Sequence, residues 1–307
     1  MGVEPRLDAP ASNFLGLPEA SSGPHSRVWV LPVPYEATTT YGRGAKLGPA
    51  AIIAASAQVE LYDRRLNCEP ALDFGVHTLP PLLLDDLAPA AAVGAIAAQV
   101  RHLSDPGRLL CVLGGEHGLS IGVARALHEV FGDFATVQID AHADLRDSYE
   151  ETPLSHACAA RRILDQGGSL TQLGVRSLDI SEAEFLRGYP DRVRTFFACD
   201  MLADKGYLTE LAGRLTGKRV YLTIDVDCLD PCVMPATGTP EPGGLGWYDV
   251  VEIVATIARA AHVIAFDCVE LAPIPGLHHA DFTAAKLVYQ AMCSIMWSSF
   301  WAKDSQS

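Results

Sequence analysis

Short apolar segments alternate with longer amphipathic ones along most of the chain, which is the pattern of an α/β protein. Several of the short segments are almost uninterrupted apolar runs, as parallel strands are when helices cover both faces of their sheet. This pattern predicts eight strands, at residues 27–33, 72–79, 108–114, 135–141, 170–176, 193–199, 219–227 and 262–271.

The segments between these strands predict helices. Residues 247–260 are the clearest case, because their apolar side chains recur on one helical face. The residues on that face are Val250, Ile253, Val254 and Ile257. Similar patterns occupy residues 91–103, 119–130, 204–215 and 281–297.

The first part of the chain differs in composition from the rest. Residues 1–26 are rich in Pro, Gly and Ser, and we expect them to form an irregular N-terminal arm. No low-complexity linker or internal repeat interrupts residues 27–307, which are therefore predicted to form a single domain. Its periodicity fits both a closed (β/α)₈ barrel and an open doubly wound sheet. In both architectures ligands gather beyond the carboxyl ends of the strands.

Charge and hydropathy narrow the classes of partner. The 307-residue chain has a net charge of −14 and no basic stripe, which disfavours nucleic acid and anionic membrane surfaces and mildly favours a cationic partner. No apolar run reaches the ~18 residues of a membrane span. The first ten residues hold no apolar signal core, so we expect a cytoplasmic protein.

Carboxylates and imidazoles follow four of the predicted strands where each apolar run stops. They are His117 after the third strand, Asp140, His142 and Asp144 after the fourth, Asp225 and Asp227 after the seventh, and Glu270 after the eighth. A single Asp in such a place is usually a turn former, and Asp230 before Pro231 is interpreted in that way. Several carboxylates packed together repel one another and resist burial, so their convergence favours a bound cation.

The donor types indicate which metal is expected. Four carboxylates and two imidazoles, without sulfur, suit Mn²⁺ or a similar ion better than a structural zinc ion. Six side chains exceed what one catalytic ion with an open position needs, so two ions that share bridging carboxylates fit the set better. The slightly negative centre that results would suit a cationic substrate.

The cysteines, and several histidines outside these clusters, are not expected to take part in chemistry. The eight cysteines are scattered and are expected to be buried thiols. His102 and His128 are expected to be solvated on helices, and His278 and His279 to lie in a loop after a Pro-Gly turn.

The motifs resemble those of the ureohydrolase family, which includes arginases and agmatinases, and they occur in the same order. The matching segments are GxxxGP (44–49), GGEH (114–117), DAHAD (140–144), DVDCLDP (225–231), GTPEPGGL (238–245) and VELAP (269–273). The resemblance covers roughly residues 27–297. It implies a three-layer α/β/α open sheet of about eight mostly parallel strands, and a homo-trimer or homo-hexamer.

The resemblance also implies a site with two Mn²⁺ ions per chain. The first ion would be bound by His117, Asp140, Asp144 and Asp225, and the second by His142, Asp140, Asp225 and Asp227, with Asp140 and Asp225 bridging. A hydroxide bridging the ions would attack the guanidino carbon of the substrate. Asp144 would hold this hydroxide, Glu270 would bind the guanidinium, and His156 would exchange protons with the leaving amine.

The segment after DAHAD bears on the substrate. Arginases carry there an Asn- and Ser-rich stretch that holds the α-groups of the amino acid, whereas this chain reads LRDSYEETPLSHACAARRI. The resemblance is therefore closer to agmatinases, which implies hydrolysis of agmatine to putrescine and urea, a step of polyamine biosynthesis. Asp147, Glu150 and Glu151 either meet a distal ammonium or form a solvated turn, and Arg146 is the candidate for meeting a distal carboxylate.

Other functions stay open at this point. Within the same class, the substrate could be aminopropylagmatine, guanidinobutyrate or arginine. Outside it, the chain could be a metal-binding assembly subunit without activity, or a deacetylase of related architecture with one zinc ion.

Overall fold

The computed structural model describes residues 13–85 and 87–298. Within these residues eight strands form one sheet, in the order β2-β1-β3-β8-β7-β4-β5-β6. The strands are β1 (Val28–Val33), β2 (Val76–Thr78), β3 (Leu109–Gly114), β4 (Ala135–Ile139), β5 (Ser169–Val175), β6 (Val193–Phe197), β7 (Arg219–Asp225) and β8 (His262–Val269). All neighbouring strands pair in parallel, and the edge strands β2 and β6 do not pair with each other, so the sheet is open.

Helices connect the strands along the same part of the chain. They are α1 (Gly48–Ser56), α2 (Pro70–Phe74), α3 (Pro89–Leu103), α4 (Ser120–Phe131), α5 (Ala159–Asp165), α6 (Ile180–Gly188), α7 (Ala198–Ala203), α8 (Tyr207–Leu215), α9 (Trp247–Ala260) and α10 (His278–Met296). A bilayer-spanning helix, which needs both sufficient length and sufficient apolar character, does not occur among the described residues.

Alternation along the strands divides the hydrophobic core between the two faces of the sheet. In β3, Leu109, Cys111 and Leu113 pack into one cluster, whereas Leu110 and Val112 pack into another. Helices α1, α8, α9 and α10 contribute to the first cluster, and α3 and α4 to the second. The prediction of an open three-layer α/β/α fold is confirmed.

Two predictions of secondary structure are wrong, and so is the expected burial of Cys199 and Cys232, which are exposed. The first half of the predicted strand 72–79 belongs to α2, because Pro70 suits the first turn of a helix and Gly75, with φ of +65°, ends it. Helix α10 begins at His278, so this residue and His279 are helical rather than part of a loop.

Part of the predicted N-terminal arm is described. Residues 13–26 contain two short 3₁₀ turns, Phe14–Gly16 and Glu19–Ser21, while residues 1–12 lie outside the described part. Phe14 is buried in the core, and its backbone N–H donates a hydrogen bond of 2.7 Å to Oγ1 of Thr78 in the edge strand β2. The division into an arm and a domain over 27–307 stays a prediction.

The strands that precede the candidate ligands are neighbours at the centre of the sheet. In the strand order, β3, β8, β7 and β4 occupy consecutive positions. Because all four run parallel, their carboxyl ends lie at the same edge of the sheet. The topology therefore brings the polar side chains that follow these strands to one place.

Candidate metal centre

The side chains that follow the four central strands line one cavity of about 330 Å³. His117, His142, Asp144, Asp225, Asp227, His156 and Glu270 are all in its wall. The sixth candidate ligand, Asp140, is fully buried, and its Oδ2 lies 3.1 Å from Nδ1 of His117. The structure thus brings together every predicted site residue, while their individual roles stay predictions.

His117 gives the clearest sign of a cation. Its Nε2 lies 2.8 Å from Oγ1 of Thr223, while its Nδ1 faces carboxylate oxygens of Asp140, Asp144 and Asp225 at 3.1, 3.2 and 3.4 Å. Although it is buried, this Nδ1 forms no hydrogen bond with any described residue. Burial lowers the pKa of His117, but the three carboxylates raise it more, so either a proton or a metal ion must neutralise this point. The residues present therefore fit a divalent cation.

A second group of donors shares Asp140 with the first. Nδ1 of His142 lies 2.9 Å from Oδ2 of Asp227. In each of the two groups, His117 with Asp140 and Asp144, and Asp140 with His142 and Asp227, the donor atoms lie within 4.8 Å of one another. Burial lowers the pKa of His142, but Asp227 raises it more, to about 11. Asp140 therefore stands where a bridging ligand would be needed.

The carboxylates of this centre are crowded. Burial raises the pKa of Asp140 to about 7, and repulsion from Asp227 and Asp144 contributes to the rise. Burial, together with Asp227 and Asp140, also raises the pKa of Asp225 well above its usual value. Such a concentration of buried negative charge is costly in a protein interior, and divalent cations would remove the cost.

Local backbone geometry delivers the carboxylates to the cavity. The N–H of His142 donates to Oδ1 of Asp140 (2.6 Å), and Nε2 of Gln138 donates to Oδ2 (2.7 Å). Asp144 and Glu270 have positive φ values of 51° and 66°. This conformation costs a non-glycine residue about 1–3 kcal/mol and is found mainly at functional sites. Two of the six described non-glycine residues with positive φ are thus carboxylates that line the cavity.

Glu270 is fixed beside His117. Its Oε1 accepts a hydrogen bond of 2.6 Å from the backbone N–H of His117, and its own N–H donates to the carbonyl oxygen of Gly115 (2.8 Å). Gly115 is required there, because a Cβ at this position would lie 2.0 Å from the carbonyl oxygen of Tyr35. Burial raises the pKa of Glu270 to about 8. Once ionised, such a fixed carboxylate can accept two parallel N–H groups of a guanidinium.

Arg146, Asp179 and Glu182 form a charged part of the cavity wall. The guanidinium of Arg146 lies 4.9 Å from the ring centre of Tyr149, 3.8 Å from Oδ2 of Asp179 and 4.0 Å from Oε2 of Glu182. Both oxygens of Glu182 accept backbone N–H groups, from Leu145 (2.8 Å) and from Asp179 (2.6 Å). Asp179 and Arg146 are therefore the charged side chains that remain available to the distal end of a substrate.

The acidic residues that follow DAHAD do not reach this wall. Asp147 is 76% exposed and pairs with Arg162 (2.7 Å) and Arg161 (3.6 Å). Glu150 and Glu151 are exposed and do not line the cavity. These three residues form a solvated acidic turn, which is one of the two possibilities that the sequence left open, and they do not meet the distal end of a substrate in the cavity.

Two contributors to the site were not anticipated. Thr39, Thr40 and Tyr41 line the cavity, although nothing in a run of three threonines signals chemistry. Arg176 follows β5 directly and donates hydrogen bonds to the backbone carbonyls of Asp227 and Glu241. Its position at the carboxyl end of a strand is the same signal that identified the candidate ligands.

Three kinds of comparison relate the chain to known proteins. A family model described as the arginase family matches residues 26–294. The N(1)-aminopropylagmatine ureohydrolase of Synechocystis sp. is 37% identical over 284 residues, which cover 91% of this chain and 92% of that protein. The agmatinase of Bacillus anthracis is 33% identical, over 94% of this chain and 98% of that protein.

The fold agrees with these relationships. The crystal structure of the agmatine ureohydrolase of Thermoplasma volcanium matches with a TM-score of 0.83 and 28% identity, over 95% of this chain and 96% of that one. The sequence and structural similarities thus extend over nearly the whole chain and include the segments that form the cavity. The chain therefore belongs to the arginase family of ureohydrolases, which hydrolyse guanidino C–N bonds.

Proposed function

We propose that this chain is a dinuclear-manganese hydrolase that cleaves the guanidino group of a small cationic compound to an amine and urea. The observation that carries the proposal is Nδ1 of His117, a buried nitrogen that faces three carboxylates and has no hydrogen bond among the described residues. A cation at this point would satisfy the nitrogen and the carboxylates together.

Two overlapping ligand sets account for all six metal-binding side chains. His117, Asp140, Asp144 and Asp225 would hold the first ion, and His142, Asp140, Asp225 and Asp227 the second. Carboxylate oxygens with imidazole nitrogens, and no thiolate, favour Mn²⁺ over a structural zinc ion. The chemistry that such ions supply when bound is a lowered pKa of water, so that hydroxide is available near neutral pH.

Three residues would handle the substrate and the protons. Glu270 accepts N–H groups of the planar guanidinium and so orients it. Asp144 accepts the proton released when water adds to the guanidino carbon, and passes it to the leaving nitrogen as the C–N bond breaks. His156, in the cavity wall, exchanges a proton between solvent and the leaving amine. The products are urea and a protonated amine.

Agmatine is the proposed substrate, with putrescine as the product amine and polyamine biosynthesis as the setting. The cavity wall carries the carboxylate of Asp179, which can attract the terminal ammonium of agmatine. Agmatinases that are 31–34% identical are among the relatives of this chain.

Aminopropylagmatine is the second candidate. Four relatives with 32–37% identity are named N(1)-aminopropylagmatine ureohydrolases. The additional ammonium of this longer compound would also be attracted by the carboxylate of Asp179 in the wall.

Urea release by the manganese-loaded protein tests the proposal. The panel comprises agmatine, aminopropylagmatine, guanidinobutyrate, arginine and guanidine, and we expect the highest kcat/KM with agmatine. A higher value with aminopropylagmatine would select the second candidate. Release from none of them would exclude the hydrolase and favour a metal-binding assembly subunit.

Two physical measurements complete the test. Metal analysis of the dialysed protein should find two manganese ions per chain, whereas one tightly held zinc ion would contradict the dinuclear centre. Analytical ultracentrifugation should find the homo-trimer or homo-hexamer that we propose.

A further inference from the structure

A network of hydrogen bonds behind His156 begins at Glu116, which is fully buried. Its Oε2 accepts from the backbone N–H groups of Ala37 (2.8 Å) and Thr38 (2.6 Å), and from the hydroxyl of Thr39 (3.4 Å). Its Oε1 accepts from the hydroxyl of Thr38 (3.1 Å). Four donors aimed at one carboxyl group are what a carboxylate anion requires, since the anion only accepts.

The hydroxyl of Thr38 stands between this carboxylate and the imidazole of His156. Besides Glu116, Oγ1 of Thr38 has two neighbours, the backbone N–H of His156 at 3.0 Å and Nδ1 of the same residue at 3.1 Å. The hydroxyl has a single proton and two possible acceptors, the carboxylate and the ring nitrogen. The carboxylate takes it, because a charged acceptor forms the stronger hydrogen bond and Oε1 has no other donor among the described residues.

That choice determines which ring nitrogen of His156 carries the proton. With its proton given to Glu116, the hydroxyl of Thr38 can only accept from the ring, so Nδ1 must be protonated. An unprotonated Nδ1 would instead direct its lone pair at the lone pairs of Oγ1. The hydroxyl of Ser155, 3.3 Å from Nδ1, can donate or accept and so does not alter this conclusion.

We infer that Thr38 is a positioning residue, which with Glu116 holds His156 as the tautomer protonated at Nδ1. Among the described residues no hydrogen bond engages Nε2, so this nitrogen is the one that exchanges protons at the cavity. The ring of Tyr149 meets the imidazole edge-on, with 5.9 Å between the ring centres and 87° between the planes, and limits its rotation. The inference rests on the proton-exchanging role proposed for His156 and adds how that role is maintained.

The network suits both states of the proton transfer. Nε2 accepts a proton from solvent to form the imidazolium and releases it to the leaving amine, so the ring returns to its starting tautomer. Throughout the cycle Nδ1–H donates to Thr38 and Thr38 donates to Glu116.

The test compares Thr38→Val, which removes the hydroxyl at nearly constant shape, with Thr38→Ser, which retains it. Side-chain ¹⁵N NMR on the metal-free protein reports the tautomer, because each ring nitrogen has a distinct shift when protonated, and His156→Ala assigns the signal. We expect protonated Nδ1 in the wild type and in Thr38→Ser, and loss of this preference in Thr38→Val. As a matched control, Thr39→Val also loses a hydroxyl contact with Glu116 but should leave the tautomer unchanged.

Activity provides the second readout. In Thr38→Val, kcat should fall about 10- to 100-fold, a part of the ~10²–10⁴-fold that acid–base catalysis contributes, while KM stays within about threefold. Thr38→Ser should restore most of kcat. Thermal unfolding of each variant separates these effects from loss of fold.

Several outcomes would overturn the inference. They are protonation at Nε2 in the wild type, an unchanged tautomer in Thr38→Val, and a changed tautomer with wild-type kcat. The NMR result does not depend on the substrate. A wild-type protein that releases no urea would therefore refute the proposed function while the tautomer still decided the role of Thr38.

Discussion

Nη2 of Arg176 donates a hydrogen bond of 2.7 Å to the backbone carbonyl oxygen of Asp227, 51 positions further along the chain. The same guanidinium donates to the carbonyl oxygen of Glu241 (2.8 Å) and to those of Gly174, Cys228 and Leu229. All these acceptors are backbone carbonyls, so a positive charge holds the turn after β7 and the GTPEP segment against the end of β5. Because that turn carries Asp227, the arrangement links Arg176 to the candidate metal centre.

We expect Arg176→Lys to weaken both the fold and metal binding. A lysine ammonium cannot span acceptors that the planar fork of arginine reaches together. Loss of these charge-assisted hydrogen bonds should lower the free energy of unfolding by about 1–3 kcal/mol. Urea denaturation and calorimetric titration with Mn²⁺ would measure the two effects.

Arg192→Lys is the matched control for this change. Arg192 also donates to backbone carbonyls, those of Leu164 (2.6 Å) and Gly168 (3.2 Å), but neither acceptor belongs to the turn that carries Asp227. It should lose stability and keep its affinity for Mn²⁺. Equal Mn²⁺ affinity in both variants would contradict the role of Arg176 in holding the metal-binding turn.

Removal of a ligand to the proposed second ion should change metal content as well as turnover. His142→Ala and Asp227→Ala each remove one side of the 2.9 Å contact between these residues. We expect the dialysed variants to retain about one ion per chain where the wild type retains two, and kcat to fall at least ~100-fold. Elemental analysis measures the metal content per chain, and the urea assay measures kcat. His102→Ala, at an exposed histidine of α3, is the control, and wild-type metal content in His142→Ala would refute the ligand assignment.

Selectivity for the distal end of the substrate should depend on Asp179. In the wild type, the side chain of Asp179 caps α6 by accepting a hydrogen bond of 2.9 Å from the backbone N–H of Ser181. Asp179→Asn removes the negative charge but keeps a side chain that can cap the helix. We expect KM for agmatine to rise severalfold with kcat unchanged, and KM for guanidinobutyrate to fall. Steady-state kinetics with both substrates measure this shift.

Asp147→Asn provides the comparison for Asp179→Asn. This acidic residue lies closer in sequence to DAHAD but outside the cavity. It should leave both KM values unchanged, and a larger effect at Asp147 than at Asp179 would show that the wrong carboxylate has been identified.

His128, expected to be solvated, is instead half-buried and stacks on Phe134 with 4.2 Å between the ring centres. Burial lowers the pKa of His128 below its usual value, although Asp133 opposes this. The unfolded chain then binds the proton more readily than the folded protein. The contribution of His128 to stability is therefore fully present above the unfolded pKa of ~6.5 and is lost as the pH falls towards the lower folded pKa.

The wild type should consequently lose more stability than His128→Gln between about pH 7 and pH 5. Urea denaturation at several pH values measures the free energy of unfolding of both proteins. The difference between them isolates His128, because the other titrating groups contribute equally to both. Asp133→Asn should steepen the loss in the wild-type background. Parallel pH profiles for the wild type and His128→Gln would show that His128 titrates alike in both states.

Local sequence patterns were sufficient for most of the strands and for the candidate ligands. Apolar runs such as 108–114 and 135–141 match β3 and β4 to within two residues at each end, because a strand buried on both faces of its sheet needs an apolar run, which is a local property of the chain. The polar residues that interrupt those runs were recognisable for the same reason. Local patterns failed at 72–79, because Gly75 adopts a positive φ within this run and so separates the helix α2 from the strand β2.

The order of the strands, by contrast, belongs to the tertiary structure. Nothing local states that β8 lies between β3 and β7, yet this order places Glu270 beside His117 across 153 positions of sequence. The same holds for the wall of the cavity, where Asp179 contributes and the nearer Asp147 does not. Side-chain type and spacing can show that a residue is suited to a site, but distance in space depends on packing between segments far apart in the chain.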